Sequence, residues 1–350
     1  MNTTTFNSTS STFSPCLHLR NLANSSPDVR AVLIARIVVN ALTCPLIIVL
    51  NILVIVAVKT KLQLRTKSNI ALACLSTTDL VVGLVLQPLD IAIAISLLSG
   101  YLAFCTVIEL SNTVSIICLL ASFHHLILVS AERYVAIKRP FFYEGLVTEG
   151  RIILASSLAW AAVIIISSKQ LLPTSILIVS ETLLITLPVF FNVSVYKEVR
   201  RSKKQIAANQ VSLEAKEKLL KKKKAFYTTL VVLLVILLCY FPTNICVVVL
   251  ISFKERIPPN ITITALLATS LLPVLNSLLN PLIYAIRIRN FRLAFIQLLS
   301  RKTAAQAEEH ERKIFRPRRT AVVDNTVVGQ GNQALNDKAR TVKADRAWRM

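Results

Sequence analysis

Two short polar signatures stand out in this chain because each lies at the end of a long apolar run. The first is Glu132-Arg133-Tyr134, and the second is Asn280-Pro281-Leu282-Ile283-Tyr284. Charge and proline destabilise an apolar helix in a membrane unless they have a role there. The chemistry that these residues offer is ion pairing and hydrogen bonding. Each string alone is a weak signal, whereas their order and apolar setting together indicate a functional element.

A second set of polar residues lies deeper within the apolar runs. Asp79 falls near the middle of one run, where an unpaired carboxylate would be neutralised or would need partners. The polar residues at matching depth in two other runs are Ser122, Asn276, Ser277 and Asn280. Such a cluster can coordinate a cation through oxygen atoms, or it can hold a water-filled hydrogen-bond network.

The elements that must position these residues are transmembrane helices. The chain is 54% apolar and only 17% charged, which indicates an integral membrane protein. About 20 apolar residues suffice for a helix to cross a bilayer. Seven continuous runs are long enough, at about 32–58, 69–98, 103–137, 151–168, 174–197, 222–252 and 261–286. The predicted fold is an all-α membrane protein, a seven-transmembrane helix bundle whose third and sixth helices tilt or project into the cytoplasm.

The distribution of basic residues predicts that the N-terminus is outside the cell. Most of the 40 lysines and arginines then lie in cytoplasmic segments, as membrane proteins prefer. The net charge of +22 therefore requires no nucleic acid partner, and the basic clusters favour anionic membrane lipid. We expect a multi-pass plasma-membrane protein with an extracellular glycosylated segment at residues 1–31. Glycosylation sequons on the predicted outer side begin at Asn2, Asn7, Asn24 and Asn260.

This pattern of helices and signatures resembles the rhodopsin-like (class A) G-protein-coupled receptors. The resemblance covers roughly residues 32–297 and touches every helix, at Asn51, Asp79, Glu132-Arg133-Tyr134, Trp160, Pro188, Tyr196, Pro242 and Asn280-Pro281. It implies a receptor domain at 32–300 that ends in a short amphipathic helix 8 around residues 291–295. A disordered basic cytoplasmic tail at 301–350 is expected to follow. The implied partners are an extracellular ligand, a heterotrimeric G protein and arrestin, and no enzymatic activity is expected.

The resemblance assigns roles to both polar sets. Arg133 is implied to leave Glu132 for tyrosines of other helices when helix six moves outward from its proline kink. The residues of this switch are Glu132, Arg133, Tyr134, Tyr196, Pro242, Asn280, Pro281 and Tyr284. The deeper set is implied to bind sodium, the only metal expected, through Asp79, Ser122, Asn276, Ser277 and Asn280. A purely structural ion pair and a network without an ion are the alternatives. Lys222 replaces the acid that often restrains the arginine, which predicts raised basal signalling.

The ligand is less constrained by the sequence. Ser115 stands where amine receptors carry an aspartate and Val274 where opsins carry a lysine, which disfavours typical monoamine binding and retinal attachment. Three carboxylates remain toward the outer side, and they suggest a cationic ligand or a divalent ion unless neighbouring hydroxyls satisfy them. The predicted ligand site consists of Asp90, Glu109, Asn112, Ser115, Glu181 and Tyr240.

Two further alternatives stay open. Ile108 replaces the cysteine of the family's usual disulfide, so Cys16 and Cys105 either form a different bridge or remain free thiols. The rival functions are a seven-helix transporter and a ligand-binding membrane protein without signalling. A transporter predicts internal repeats and paired interrupted helices, which this sequence does not display.

Overall fold

The computed structural model describes residues 26–100, 105–168, 174–208, 213–253 and 255–315. Within these ranges the side chains of some helical residues, chiefly 174–183, 206–208 and 213–219, lie outside the description. The described part of the chain is helical apart from short turns. Its long helices are α1 (Pro27–Thr60), α2 (Lys67–Ser99), α3 (Cys105–Lys138), α4 (Glu149–Ser168), α5 (Thr174–Ala208), α6 (Leu213–Ser252) and α7 (Pro259–Arg287).

Each of the seven predicted apolar runs forms a helix. Six helices of the described chain are long and apolar enough to cross a membrane. The seventh long helix is α5, which has 35 residues and whose first ten side chains lie outside the description. α6 is longer than its predicted apolar run, because it begins at Leu213. α5 also continues past its run to Ala208, which the sequence analysis did not predict.

The surface of the bundle carries many more exposed large apolar side chains than that of a soluble protein. Large apolar residues are exposed around the bundle, with Leu42 67%, Leu154 58% and Leu238 72% exposed. Asn51 and Asp79 are fully buried. Exposed aliphatic side chains and buried polar ones are the arrangement that a hydrocarbon solvent favours. The bundle therefore presents a lipid-compatible surface around an interior that contains buried polar residues as well as apolar ones.

α3 is the central helix of the bundle. It packs against α2, α4, α5 and α6, while α7 packs against α1, α2 and α6. We call the end at which α1 begins the outer end, and the end at which α3 finishes the inner end. An apolar cluster of Ile137, Val195, Val199 and Phe226 joins α3, α5 and α6 at the inner end. This arrangement places α6, around Phe226, against the end of α3.

α2 is irregular where it approaches α1. Its middle, Val82–Leu86, winds as a single π-helical turn just before Pro88. A proline and a π-turn both change which face the following residues present. At Gly83, an added Cβ would lie 2.9 Å from Cγ1 of Ile48, so glycine allows the two helices to approach closely here. The outer half of α2 is therefore positioned by a local irregularity.

Two shorter helices follow α7. α8 (Arg289–Ser300) is the predicted amphipathic helix, with Phe291 buried and its ring 5.8 Å from that of Tyr284. Arg292 of α8 donates from Nη1 to the carbonyl of Ile286, 3.0 Å away, and so caps the end of α7.

α9 (Ala304–Phe315) lies in a second compact unit, residues 295–350. It differs from the expectation of disorder for 301–350. Thr303 and Gln306 form a reciprocal capping box at its start, and Glu309 and Lys313 pair at 2.8 Å one turn apart. Threonine followed three residues later by glutamine was the sequence signal for this helix. Residues 316–350 lie outside the described part of the chain.

Candidate functional site

The outer end of the bundle encloses a cavity of about 340 Å³, which we call the outer cavity. It lies between α1, α2, α3, α6 and α7. Its apolar lining includes Val82, Leu86, Cys118 and Val274. Its polar lining is formed by Arg36, Asp90, Ser111, Asn112, Ser115, Tyr240, Thr243, Asn244 and Ser270. This size and this mixture of apolar walls with a few convergent polar groups are typical of small-molecule sites.

A nearly buried ion pair stands in the outer cavity. Nη2 of Arg36 on α1 lies 2.8 Å from Oδ2 of Asp90 on α2, and the two side chains are 10% and 12% exposed. Nη1 of Arg36 also donates to the carbonyl of Leu267, at 2.9 Å, and to the hydroxyl of Ser270 on α7. The hydroxyl of Ser111 on α3 donates to the other carboxylate oxygen of Asp90 at 3.2 Å. This network joins four helices.

The three carboxylates of the predicted ligand site lie in different environments. Asp90 lines the outer cavity but is already held by Arg36, so it is not a free anchor for a cation. Glu109 lies on α3 with an exposed side chain and is absent from the cavity lining. Glu181 lies in α5, and its side chain is outside the described residues. The predicted site residues that do line the cavity with Asp90 are Asn112, Ser115 and Tyr240.

Arg36 is the site residue that the sequence analysis missed. The signal was nevertheless present, because Arg36 is the single charged residue within the first apolar run. An ionisable residue inside a membrane helix usually has a partner or a function. Its partner lies 54 residues away in sequence, which local patterns cannot reveal.

The predicted sodium-binding residues are all buried, and two of them contact Asp79; we call the five residues the polar cluster. Nδ2 of Asn280 donates to Oδ2 of Asp79 at 2.9 Å, and the hydroxyl of Ser277 lies beside the same carboxylate. Asn276 is also fully buried. The buried Ser122 hydroxyl lies beside that of Tyr240, whose ring also borders the outer cavity. Tyr240 therefore touches both the outer cavity and the polar cluster.

Several oxygen atoms of the polar cluster have no hydrogen-bond donor within the described structure. They are Oδ1 of Asp79, Asn276 and Asn280, and also Oδ1 of the neighbouring Asn51. Nδ2 of Asn51 is satisfied, since it donates to the carbonyls of Ile47 and Ser277. Buried oxygen acceptors without donors require water or a cation. The residues present thus fit a hard, oxygen-preferring cation such as sodium.

At the inner end, Arg133 is held by its neighbour in sequence. Its Nε lies 2.7 Å from Oε2 of Glu132, whose side chain is only 2% exposed. The hydroxyl of Tyr143 donates to the other carboxylate oxygen at 2.5 Å. Burial, followed by this hydrogen bond and the charge of Glu132, raises the pKa of Tyr143 well above its usual range. Tyr143 therefore remains a hydrogen-bond donor at physiological pH.

Tyr143 belongs to a short loop helix, Pro140–Leu146, between α3 and α4. Lys67 at the start of α2 pairs with Glu144 at 2.9 Å, and its ammonium group lies 4.6 Å from the centre of the Tyr143 ring. Arg65 pairs with Glu149 at 3.1 Å. Such exposed pairs are each worth about 0–1 kcal/mol. They orient the loop helix so that the Tyr143 hydroxyl reaches Glu132, a contact that the sequence analysis did not predict.

The other predicted switch residues lie at different depths of the bundle. Tyr134 packs on Phe191 of α5, Tyr196 is 46% exposed, and Tyr284 is fully buried. Pro242 and Pro281 lie inside α6 and α7. Arg133 lines an inner cavity of about 270 Å³ together with Thr228 and Thr229 of α6. Lys222 lies in α6, and its side chain is outside the description.

The remaining sequence predictions concern glycosylation and cysteine pairing. Asn260 lies in the first turn of α7, whereas Asn2, Asn7 and Asn24 lie outside the described residues. Cys16 and the side chain of Cys105 also lie outside the description. Among the described cysteines, Cys44, Cys74, Cys118, Cys239 and Cys246 are free thiols.

Known amine receptors match part of this chain. The D(1B) dopamine receptor of Rattus norvegicus is 36% identical over 118 residues, which cover 33% of this chain and 24% of the relative. The octopamine receptor of Heliothis virescens is 34% identical over 125 residues, which cover 36% and 26%. The chain thus spans about a quarter of the length of these amine receptors.

A longer match comes from another receptor. The adenosine receptor A2b of Mus musculus is 25% identical over 303 residues, which cover 74% of this chain and 87% of the relative. The family model described as "7 transmembrane receptor (rhodopsin family)" matches residues 50–182 and 168–284, well over half of the chain. These proteins are receptors and not enzymes. Because this family model matches well over half of the chain, the chain belongs to the rhodopsin family of seven-transmembrane receptors.

Proposed function

We propose that this protein is a plasma-membrane G-protein-coupled receptor with its N-terminus outside. It binds a small extracellular ligand in the outer cavity and activates a heterotrimeric G protein at the inner end. The observation that supports this most directly is the position of α6. Tyr240 borders the outer cavity, Pro242 follows it, and Thr228 and Thr229 of the same helix line the inner cavity beside Arg133. One helix therefore contacts both proposed sites.

The proposed mechanism is a change in the populations of two states. Ligand contacts with Tyr240 and Asn244, on either side of Pro242, favour a different bend of α6. Outward movement of the inner half of α6 separates Phe226 from the apolar cluster on α3 and α5. The inner cavity widens, Arg133 leaves Glu132, and the tyrosines Tyr196 and Tyr284 become its new partners. The resulting opening is the surface proposed for the G protein and for arrestin.

The polar cluster is proposed to hold a sodium ion that favours the inactive state. Asp79, Asn276, Ser277, Asn280 and Ser122 would surround it, as supported by the oxygen atoms without donors. Because Ser122 lies beside Tyr240, occupancy of the cluster is coupled to the helix that contacts the ligand. The basic segments at the inner end are proposed to contact anionic lipid.

The test is ligand-dependent nucleotide exchange on purified G proteins by the receptor in nanodiscs. The relatives and the open ligand class suggest a panel of test compounds. It contains amines, including dopamine and octopamine, nucleosides, including adenosine, peptides and lipids. We expect at least one compound to accelerate exchange. Arg133→Ala should abolish exchange and retain ligand-induced thermal stabilisation. Uptake of a compound into proteoliposomes without any exchange would instead indicate a transporter.

A further inference from the structure

The outer cavity has a balanced charge. Of the described residues that line it, two are charged, Arg36 and Asp90, and they are paired with each other. The guanidinium group is engaged by the Asp90 carboxylate, the Leu267 carbonyl and the Ser270 hydroxyl. The carboxylate is engaged by Arg36 and Ser111. Each ion therefore already has its counter-ion, and neither offers an uncompensated charge to a ligand.

A charged ligand would therefore meet an unfavourable site. An ammonium group entering the cavity would lose its water and would find Asp90 already neutralised. To pair with Asp90 it would have to displace Arg36, which would leave the guanidinium group desolvated and uncompensated. A ligand carboxylate faces the same difficulty at Arg36. The pair thus disfavours net charge of either sign.

The remaining polar groups that line the cavity in the described part of the chain are neutral. The side chains of Asn112, Ser115 and Asn244 line it and have no hydrogen-bond partner among the described residues. An asparagine amide offers both donors and an acceptor, and a serine hydroxyl offers both as well. These three side chains on α3 and α6 can therefore bind uncharged polar groups on two sides of the cavity.

From these observations we infer that the outer cavity selects a small uncharged molecule with several hydrogen-bonding groups, and that the Arg36–Asp90 pair sets this selectivity. The inference rests on the proposed function of the outer cavity as the ligand site. It replaces the cationic ligand that the sequence suggested. It also predicts that the charge preference can be changed by removing one member of the pair.

The experiment uses three probes that share one scaffold and differ in one head group. They are dopamine with an ammonium group, 3,4-dihydroxyphenylethanol with a hydroxyl, and 3,4-dihydroxyphenylacetate with a carboxylate. Their affinities for the purified full-length receptor are measured by titrating its thermal stability, which reports binding without any G protein. The variants are Arg36→Gln, Asp90→Asn and the double change. Arg30→Gln, at an exposed position near the start of α1, is the matched control.

We expect the wild type and Arg30→Gln to bind the alcohol at least as tightly as either ion. Arg36→Gln leaves the Asp90 carboxylate without its counter-ion. The affinity for dopamine relative to that for the alcohol should therefore rise by about tenfold or more, as for one charge-assisted hydrogen bond. Asp90→Asn should move the ratio toward the carboxylate probe. The double variant should restore the preference for the alcohol. Because it contains no buried ion, it remains a test if either single variant misfolds.

A wild-type preference for dopamine or for the carboxylate would overturn the inference. So would ratios that stay the same in every single variant that folds. Failure of the proposed function is a separate result, because a receptor can show these binding preferences and still catalyse no nucleotide exchange.

Discussion

The two ends of the bundle are built in different ways. At the inner end, Arg133 and Glu132 are adjacent in sequence and form an ion pair at 2.7 Å. At the outer end, Arg36 and Asp90 are 54 residues apart, and the other acceptors of Arg36 are more than 230 residues away. Both ends hold an arginine against a carboxylate. An ion pair between sequence neighbours can be recognised from a motif. An ion pair held in a network across four helices cannot.

The largest expected effect comes from breaking the outer pair. Asp90→Ala leaves Arg36 buried without its counter-ion, so we expect the free energy of unfolding to fall by about 3–5 kcal/mol. Thermal unfolding in detergent measures this. Replacing both residues by apolar ones should recover most of the loss, since no buried charge remains. Equal destabilisation by the single and double changes would show that packing, and not charge, sets the effect.

The polar cluster provides the next test because it is proposed to accept a cation where the outer cavity does not. In Asp79→Asn, sodium should no longer lower the affinity of an agonist, a coupling that we expect to be about fivefold or more in the wild type. The amide preserves volume and removes charge. Radioligand binding with and without sodium, at constant ionic strength, measures it. Persistence of the sodium effect in the variant would contradict the assignment.

The inner pair should be easier to perturb than the outer one. Tyr143→Phe removes a hydrogen bond to Glu132, and the carboxylate of Glu132 is then held less firmly in position to pair with Arg133. For this partly exposed contact we expect the loss to destabilise the inactive state by about 1 kcal/mol, which raises basal nucleotide exchange by up to about fivefold. Tyr227→Phe, on the adjacent α6, removes a hydroxyl that has no partner in the described structure and should leave exchange unchanged. Equal basal activity in Tyr143→Phe and the wild type would remove Tyr143 from the switch.

The smallest effect is expected at Lys222, a position argued from sequence alone. A cation on α6 near the inner end would disfavour the closed state by repelling Arg133. Salt screening limits this repulsion to about 1 kcal/mol or less. Lys222→Glu should therefore lower agonist-free signalling at matched surface expression. An unchanged or higher basal signal would indicate that the side chain faces solvent or lipid headgroups.

Much of the fold was predictable because transmembrane helices depend on local hydrophobicity. Each of the seven runs became a helix, and α8 formed at the predicted position. The helix α9 was missed although its capping box, Thr303 to Gln306, is visible in the sequence. The π-turn Val82–Leu86 could not be predicted, since no residue type specifies it. That turn precedes Gln87 and Asp90, and so it helps to decide which side chains of α2 face the interior.

Local patterns in the sequence specify the helices, the adjacent pair of Glu132 and Arg133, and the polar residues that are buried with Asp79. Hydrophobic length, charge and spacing are local properties that each segment carries with it. Three contacts require the tertiary structure. Arg36 neutralises Asp90, and Tyr143 reaches Glu132. Tyr240 touches both the outer cavity and the polar cluster. Those contacts depend on how helices distant in sequence pack and rotate against one another, and the charge available to a ligand follows from them.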